Sequence, residues 1–577
     1  MMVAAGSTQS LNTDTQHAHM MLLNKKKTGV LLLLVAVLLL LAFTVPALSK
    51  PFMIDEFVFT IPAEHLLNGE LPYLDLGVLD QGKLMLVHPP LYIYTLAAQF
   101  YVFGVSELSA RSLGLVFSLL TIGMVFLLSL TVFAQHANKY AIAGMASLLY
   151  AINPFAIQSA LLIDIDGTVL TFCMVLFLFL YTELAPGMTR TLCLGILLGV
   201  VSWIKFQGVF FLGAAILVHA CIDGFRARRV AAAVFPVVAM GAIGIASFIG
   251  TWYTYTSVLD VSFWLPFDHN LKFLSAENSA SLLANVAFFL WSIKNIILWI
   301  MPAAAVLLCI ALYDFVRKTA NQKFGYERLL WIYCITITAF FVLIQHSAYG
   351  FPKYFIPMLP VAMILVSRLL VSSLLPMRRI PYSAIAVSAL AVIVLSLVVI
   401  KDPFLAHNFF FTHTISFESD LSRYLFENLK GLSVALPLIV AFGVFLAFRH
   451  ATYKALLLAC WVVLIVSSLI LNGIQLTATY STTYAYGQQG VMDTARFVQD
   501  ITSPNEIIIA PQSIAYYANR SFAMSYPSDH RFKDALPAVY ANPSVRVIVT
   551  SPSDTFRIPP SFELQRRIGH FTVYKKA

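Results

Sequence analysis

The chain has 577 residues, 59% of them hydrophobic and 11% charged, whereas a soluble globular protein carries roughly 25% charged residues. That little polar surface cannot cover a water-soluble particle, so a soluble enzyme or binding module is excluded and lipid must be the solvent for most of the chain. Lys and Arg outnumber Asp and Glu, 37 to 28, but they sit in short loops between apolar runs, which is the pattern of membrane orientation and not of nucleic-acid binding.

Residues 1–29 read as a cytoplasmic tail that ends in Lys25-Lys26-Lys27. The apolar run Val30–Leu48 that follows is about as long as a bilayer-spanning helix requires. No small-x-small cleavage site follows it cleanly, so it reads as a retained first helix with its N-terminus in the cytoplasm. Further apolar runs lie near 111–133, 140–160, 168–184, 191–204, 207–222, 230–250, 287–315, 329–344, 354–372, 381–400, 432–448 and 455–472. The expectation is an all-α polytopic membrane module over residues 30–472 with about thirteen spans. Parity then puts the basic clusters Arg226/Arg228/Arg229 and Arg378/Arg379 on the cytoplasmic side.

The same parity places residues 49–110, 251–286 and the tail 473–577 outside. Within the first of these, Pro90–Phe103 is apolar and aromatic but short, and reads as an interfacial helix. In the tail, helical spacing over Gly490–Ile501 and Pro511–Asn519 alternates with strand-like runs at Glu506–Ala510, Val545–Thr550 and Phe571–Tyr574. That alternation predicts a small extracytoplasmic α/β domain. The six cysteines lie within or at the ends of apolar segments with no C-x-x-C pair, which argues against a disulfide framework or a zinc knuckle.

Charged residues at the outer boundary are the candidates for chemistry. Asp55-Glu56 follows the first helix, where partial desolvation raises a carboxylate's basicity and suits it to act as a general base. The plain alternative is a solvated acid that ends the helix. Asp164 and Asp166 are spaced to hold a divalent cation through oxygen ligands, to meet an acceptor, or simply to solvate a helix end. Lys205 and Lys353 interrupt apolar stretches at external turns, where a lysine often only snorkels; His346 stands beside the second. By parity, Asp55, Glu56, Lys83, His88, Asp166, Lys205, His346 and Lys353 all face one side. Acids beside bases at a lipid boundary suit a substrate with a phosphate head and an apolar tail. The cations would neutralise the phosphate as anchor and leaving group, and the carboxylate would activate the acceptor.

The order Asp55-Glu56, Leu66-Leu67-Asn68-Gly69-Glu70-Leu71-Pro72-Tyr73, His88-Pro89-Pro90-Leu91-Tyr92, Phe103-Gly104-Val105-Ser106-Glu107, Ala110-Arg111 resembles the first external loop of the glycosyltransferase C superfamily. The similarity is to its protein O-mannosyltransferase and aminoarabinose-transferase-like branch. Asp166, Gly195, Gly199, Lys205 and Lys353-Tyr354-Phe355-Ile356-Pro357 agree with it, over residues 30–370 in all. The resemblance implies a polyprenyl- or dolichyl-phosphate sugar donor, a lipid, glycan or protein acceptor, and inversion by direct displacement with Asp55 as base. It also implies donor-phosphate contacts from Lys83, His88, Lys205, Lys353 and Tyr354, with Arg111 and His346 nearby. His88 stands where relatives carry a lysine before the Pro-Pro pair, and metal dependence varies across the superfamily. The location it implies is the plasma membrane, or the endoplasmic reticulum in a eukaryote. The rival readings are a secondary transporter, which would show inverted repeats, and another polyprenyl-lipid enzyme such as an O-antigen ligase.

Overall fold

The computed structural model describes residues 7–52, 54–75, 77–78, 82–268, 271, 300–319, 325–341, 352–374, 416–417, 450–480, 490–523, 536–551, 557–569 and 571–577; for Asp55 it describes the backbone alone. Helix α1 (Ser7–Thr44) begins well before the apolar run, so much of the tail at 1–29 is helical. It ends in a 3-10 turn at Val45–Ala47, with a proline in its first turn.

Asp55-Glu56 follow this first helix and begin a helix of their own. Both fall in the first turn of helix α2 (Ile54–Leu67). The run Phe57-Val58-Phe59-Thr60-Ile61 is apolar enough to bury Phe57, Phe59 and Ile61 in the main core. Acids in the first turn favour a helix N-terminus because they face its positive dipole end. A short hairpin, β1 (Tyr73–Leu74) with β2 (Lys83–Leu84), follows. Then comes α3 (Leu91–Phe103), the helix read as interfacial. Gly104, at φ +79°, stops α3 in a backbone conformation that disfavours side chains. Two residues later the Ser106 hydroxyl accepts from the Ser109 N–H at 3.1 Å and starts α4 (Glu107–Val132).

The run expected as one span at 140–160 is broken. Asn153 separates α5 (Lys139–Ile152) from α6 (Pro154–Leu161), and the two are bent by 65°. The cause is local: Pro154 removes a backbone donor, and the Asn153 side chain accepts from the Phe155 N–H at 2.9 Å. Helices α7 (Thr168–Glu183), α8 (Met188–Ile204), α9 (Phe206–Ala227) and α10 (Val230–Val258) complete the first half. Gly195 and Gly199 of α8 have a packing reason: a Cβ at Gly195 would meet the Ile243 side chain at 2.7 Å, so the glycines let α8 and α10 approach. After α11 (Pro302–Thr319) and α12 (Gly325–Ala339), a 3-10 turn (Pro352–Met358) leads into α13 (Leu359–Leu374); α14 (His450–Thr477) follows. Strand β3 (Ser416–Phe417) pairs with β4 (Ala478–Tyr480).

Among the described residues five helices are long and apolar enough to cross a membrane, six if α5 and α6 form one broken span. The chain is thus a mostly helical, multi-pass membrane protein. The runs at 381–400 and 432–448 lie outside the described residues.

The C-terminal elements are α15 (Val491–Ile501), β5 (Ile507–Ile509), α16 (Gln512–Ala518), α17 (Leu536–Ala541), β6 (Val545–Thr550), β7 (Phe562–Ile568) and β8 (Phe571–Lys576). The four strands form one sheet in the order β5-β6-β8-β7, parallel between β5 and β6 and antiparallel elsewhere. Strand β7 was not legible in the sequence because its Glu563–Arg567 stretch is exposed and charged. That composition suits a sheet edge, where charge discourages pairing with other chains. Val498, Ile514, Ala515, Val547 and Val573 make the core between α15, α16 and the sheet.

Candidate active site

Two buried ion-pair clusters meet where α2, α3 and α4 approach the loop between α6 and α7. The first surrounds the start of α2. Arg111, one turn into α4, is fully buried, and its Nη2 donates to Glu56 Oε2 at 2.6 Å. The same guanidinium donates to the carbonyls of Leu48 and Pro51, each at 3.2 Å, and to that of Lys50. It also lies over the Phe52 ring. A buried arginine needs this many acceptors, and here they all come from the segment that delivers the chain into α2. Glu56 is committed to Arg111. Asp55, its neighbour, occupies the first turn of the same helix.

The second cluster is built on breaks in the helices. Asp164 and Asp166 lie in the turn between α6 and α7, exposed by only 2% and 4%. The turn is shaped by its own residues: the Asp166 N–H donates to Asp164 Oδ1 at 2.9 Å, and the Gly167 N–H to the Asp164 carbonyl at 3.0 Å. Lys353, in the 3-10 turn before α13, donates to Asp164 Oδ2 at 2.7 Å. Lys205, the single extended residue between α8 and α9, donates to Asp166 and lies over the Tyr354 ring at 4.7 Å. Burial pushes both carboxyls upward. At Asp164 the Lys353 ammonium overcomes this and holds the group below the usual carboxylate range. At Asp166 burial prevails over Lys205, helped by the charge of Asp164, and the group stays above that range.

Tyr92 of α3 links the clusters. Its buried hydroxyl meets the backbone of Asp164 and lies in the field of both the Asp164 and Glu56 carboxylates. Thus Glu56, Arg111, Asp164, Asp166, Lys205, Lys353 and Tyr354 converge. Lys83 is exposed on β2, and His88 is half-buried in the turn before α3. His346 and the Asp55 side chain lie outside the described residues. As for a divalent ion, each aspartate is already paired with an ammonium group. Among the described residues no group of three or more His, Cys, Asp or Glu side chains is placed to hold a metal.

Three residues escaped the sequence reading. Tyr92 stands in the His88-Pro89-Pro90-Leu91-Tyr92 motif, but a tyrosine among apolar residues carries no signal of its own. Tyr516 and Tyr517 of α16 reach over to the start of α2. The Tyr516 hydroxyl donates to Glu64 Oε1 at 2.8 Å, while Tyr517 donates to Glu107 and accepts from the Phe52 N–H at 2.7 Å. Their signal was only an adjacent pair of tyrosines in a helix far along the chain.

Residues 87–253, which carry His88, Tyr92, Arg111, Asp164, Asp166 and Lys205, match the family model described as dolichyl-phosphate-mannose-protein mannosyltransferase. No curated protein matches the sequence. Among solved structures, ArnT from Cupriavidus metallidurans bound to undecaprenyl phosphate is similar with a TM-score of 0.58 and 15% identity, over 95% of this chain and 97% of that one. Its apo state gives 0.54 and 16% over the same shares. The apo oligosaccharyltransferase of Archaeoglobus fulgidus gives 0.50 and 13%, over 91% of this chain and 69% of that one. At these identities the likeness is one of fold. The resemblance to glycosyltransferase C proteins is thus matched in fold by these membrane proteins, and in sequence by the mannosyltransferase model over residues 87–253.

Proposed function

We propose that the protein transfers a sugar from a polyprenyl- or dolichyl-phosphate-linked donor to a lipid, glycan or protein acceptor on the non-cytoplasmic face, inverting the anomeric centre. We read the architecture as about thirteen spans with a cytoplasmic N-terminus, and the C-terminal sheet with its helices as an external α/β domain. The observation that carries the proposal is the pairing of buried Lys205 and half-buried Lys353 with two buried aspartates at helix breaks; Asp164, Asp166 and Lys205 lie inside the stretch that matches the mannosyltransferase family.

The chemistry follows from charge. Asp55 accepts the proton of an acceptor hydroxyl or amine. The acceptor atom bonds to the anomeric carbon as the bond from that carbon to the phosphate oxygen breaks, and the lipid phosphate departs. A phosphodiester carries one negative charge, and the departing lipid phosphate develops a second. Cations beside it therefore bind the transition state more strongly than the donor. Lys353 and Lys205, beside Tyr354, are the residues we assign to the phosphate together with His88 and Lys83, the aspartates holding the two paired lysines in place. Glu56, tied to Arg111, orients the turn that carries Asp55.

The test is direct. Purified protein in nanodiscs should release polyprenyl phosphate from lipid-phosphate sugars only when an acceptor membrane is supplied. Transfer from a nucleotide sugar with none from lipid donors would overturn the proposal, as would movement of a solute across the membrane without any sugar transfer.

A further inference from the structure

We infer that Tyr517, supported by Tyr516, is a positioning residue of the active site: from α16 it latches the chain segment that enters α2 and so fixes where the Asp55-Glu56 turn stands. The inference rests on the proposed function and deepens it, because it gives the C-terminal elements a part in the reaction.

The latch is a closed circuit. The Tyr517 hydroxyl takes the Phe52 N–H at 2.7 Å and gives its own proton to the Glu107 carboxylate in the first turn of α4. One helical turn further along α4, Arg111 holds the carbonyls of Leu48, Lys50 and Pro51 and the carboxylate of Glu56. The segment from Leu48 to Glu56 is therefore fastened to α4 directly through Arg111, and a second time through Tyr517. A single arginine fixes a point; the second tie, made to a backbone N–H three residues before Asp55, fixes a direction. Tyr516 adds packing, its ring 6.2 Å from that of Phe52 and 5.1 Å from that of Phe57. Its hydroxyl holds Glu64, two and a half turns along α2.

The latch is rigid on the far side. Ile514, Ala515 and Ala518 bury one face of α16 against the sheet. Arg520, just past its end, donates to the carbonyls of Gln499 and Thr502 at 3.1 and 2.8 Å, tying α16 to the end of α15. The other ties across the seam, from Gln512 Nε2 to the Asp75 carbonyl and from the Val78 N–H to the Phe522 carbonyl, both at 3.0 Å, fall beyond α2, and a cavity of about 860 Å³ lies between α2 and α16, lined by Glu64, His65, Asp75, Gln512, Tyr516 and Arg520. With solvent on that side, the tyrosines carry much of the constraint on α2. A displacement of about 1 Å in a catalytic group is enough to cost on the order of a hundredfold in rate.

The experiment uses full-length protein in nanodiscs, dolichyl-phosphate mannose and undecaprenyl-phosphate mannose as donor probes, and membranes as acceptor. Two readouts are taken: the split between kcat and donor KM, and hydrogen exchange of the peptide spanning residues 48–57. Tyr517→Phe keeps the ring and removes both hydrogen bonds. It is expected to speed exchange in that peptide and to lower kcat by about tenfold to a hundredfold, with donor KM within about twofold. Tyr516→Phe should show the same pattern more weakly. Tyr540→Phe, which lies away from the seam, should move neither readout. Unchanged exchange in Tyr517→Phe overturns the latch whatever the rate does. Faster exchange with normal kcat overturns its positioning role. A wild-type protein that cleaves no lipid-phosphate sugar refutes the proposed function and the positioning role with it, while exchange still judges the physical latch.

Discussion

Two buried charge clusters lie on α13 or the turn that leads into it, and they are built in opposite ways. At one end Lys353 and Lys205 pair with Asp164 and Asp166, all four on helix breaks. Roughly 20–25 Å along α13, Arg368 joins Asp314 at 2.6 Å and Glu327 at 3.3 Å, while Lys318 meets Asp314 from one turn away on α11. The second cluster stands on three continuous helices and uses an arginine, a planar fork that stays charged and bridges two carboxylates at once. It is a staple. The first uses compact ammonium groups on backbone that has left the helix, where polar groups at membrane depth persist only if they are buried in protein or line a cavity. Burial of charge is common to both, so burial alone does not mark a site. The broken backbone does.

The sharpest way to test that contrast is Asp55→Asn. Asparagine keeps the size and cannot accept the proton, and removal of a general base typically costs about 10²- to 10⁴-fold in rate. Turnover should fall by that much while undecaprenyl phosphate binding, followed by the intrinsic fluorescence of the protein, stays near wild type. Normal turnover on a verified donor would remove Asp55 from the reaction.

Lys353 separates charge from fold. Lys353→Met leaves Asp164 buried without its partner, and breaking such a pair costs about 3–5 kcal/mol. The double change Lys353→Met with Asp164→Asn removes both charges and should recover most of the lost stability. If the ammonium serves the donor phosphate, the double variant will still bind undecaprenyl phosphate about 10- to 100-fold more weakly, the worth of one charge-assisted hydrogen bond. Recovery of stability and affinity together would make the pair structural, like the staple around Arg368.

Much of this site could be read in the sequence because its parts announce themselves against an apolar background. Asp164, Asp166, Lys205 and Lys353 each interrupt a hydrophobic run, and desolvation makes such interruptions costly unless they pair. What could not be read was who pairs with whom. Asp164 and Lys353 are separated by 189 residues, and no local pattern encodes that. The reach of α2 was missed for a different reason: its apolar residues are so continuous that no helical period stands out from loop or span. Tyr516 and Tyr517 were missed because a tyrosine's role depends on which carboxylate lies opposite, and here those are Glu64 and Glu107, more than 400 residues away in the chain.

Arg368→Met probes the staple from the other side. Glu327 would lose its cation while Asp314 keeps Lys318, so the loss is partial and the expected destabilisation is about 1–3 kcal/mol. Denaturation midpoints in detergent should register it, and kcat per folded molecule should stay at the wild-type value. A large fall in kcat with stability intact would mean that this cluster also feels the reaction, and the contrast between the two would collapse.

The smallest expected effect lies at the seam, in Glu64. Burial lifts its carboxyl above the usual range; the Tyr516 hydroxyl and then His65 pull it back, the charge of Asp75 adds to the lift, and the net direction is upward. A carboxyl with a raised folded pKa holds its proton more tightly folded than unfolded. Its contribution to folding is therefore fully present below the unfolded value near 4.5 and is lost as the pH rises through the folded one. Glu64→Gln still accepts the Tyr516 hydrogen bond but cannot ionise, so it removes this titration and leaves the rest of the seam in place. Thermal midpoints of the two proteins, compared across mildly acidic to neutral pH, should diverge, with wild type falling relative to Gln as the pH rises. Parallel curves would show that Glu64 is solvated as freely in the fold as out of it. The Tyr516 contact would then be an exposed one, and the hold of α16 on α2 would rest on Tyr517 alone.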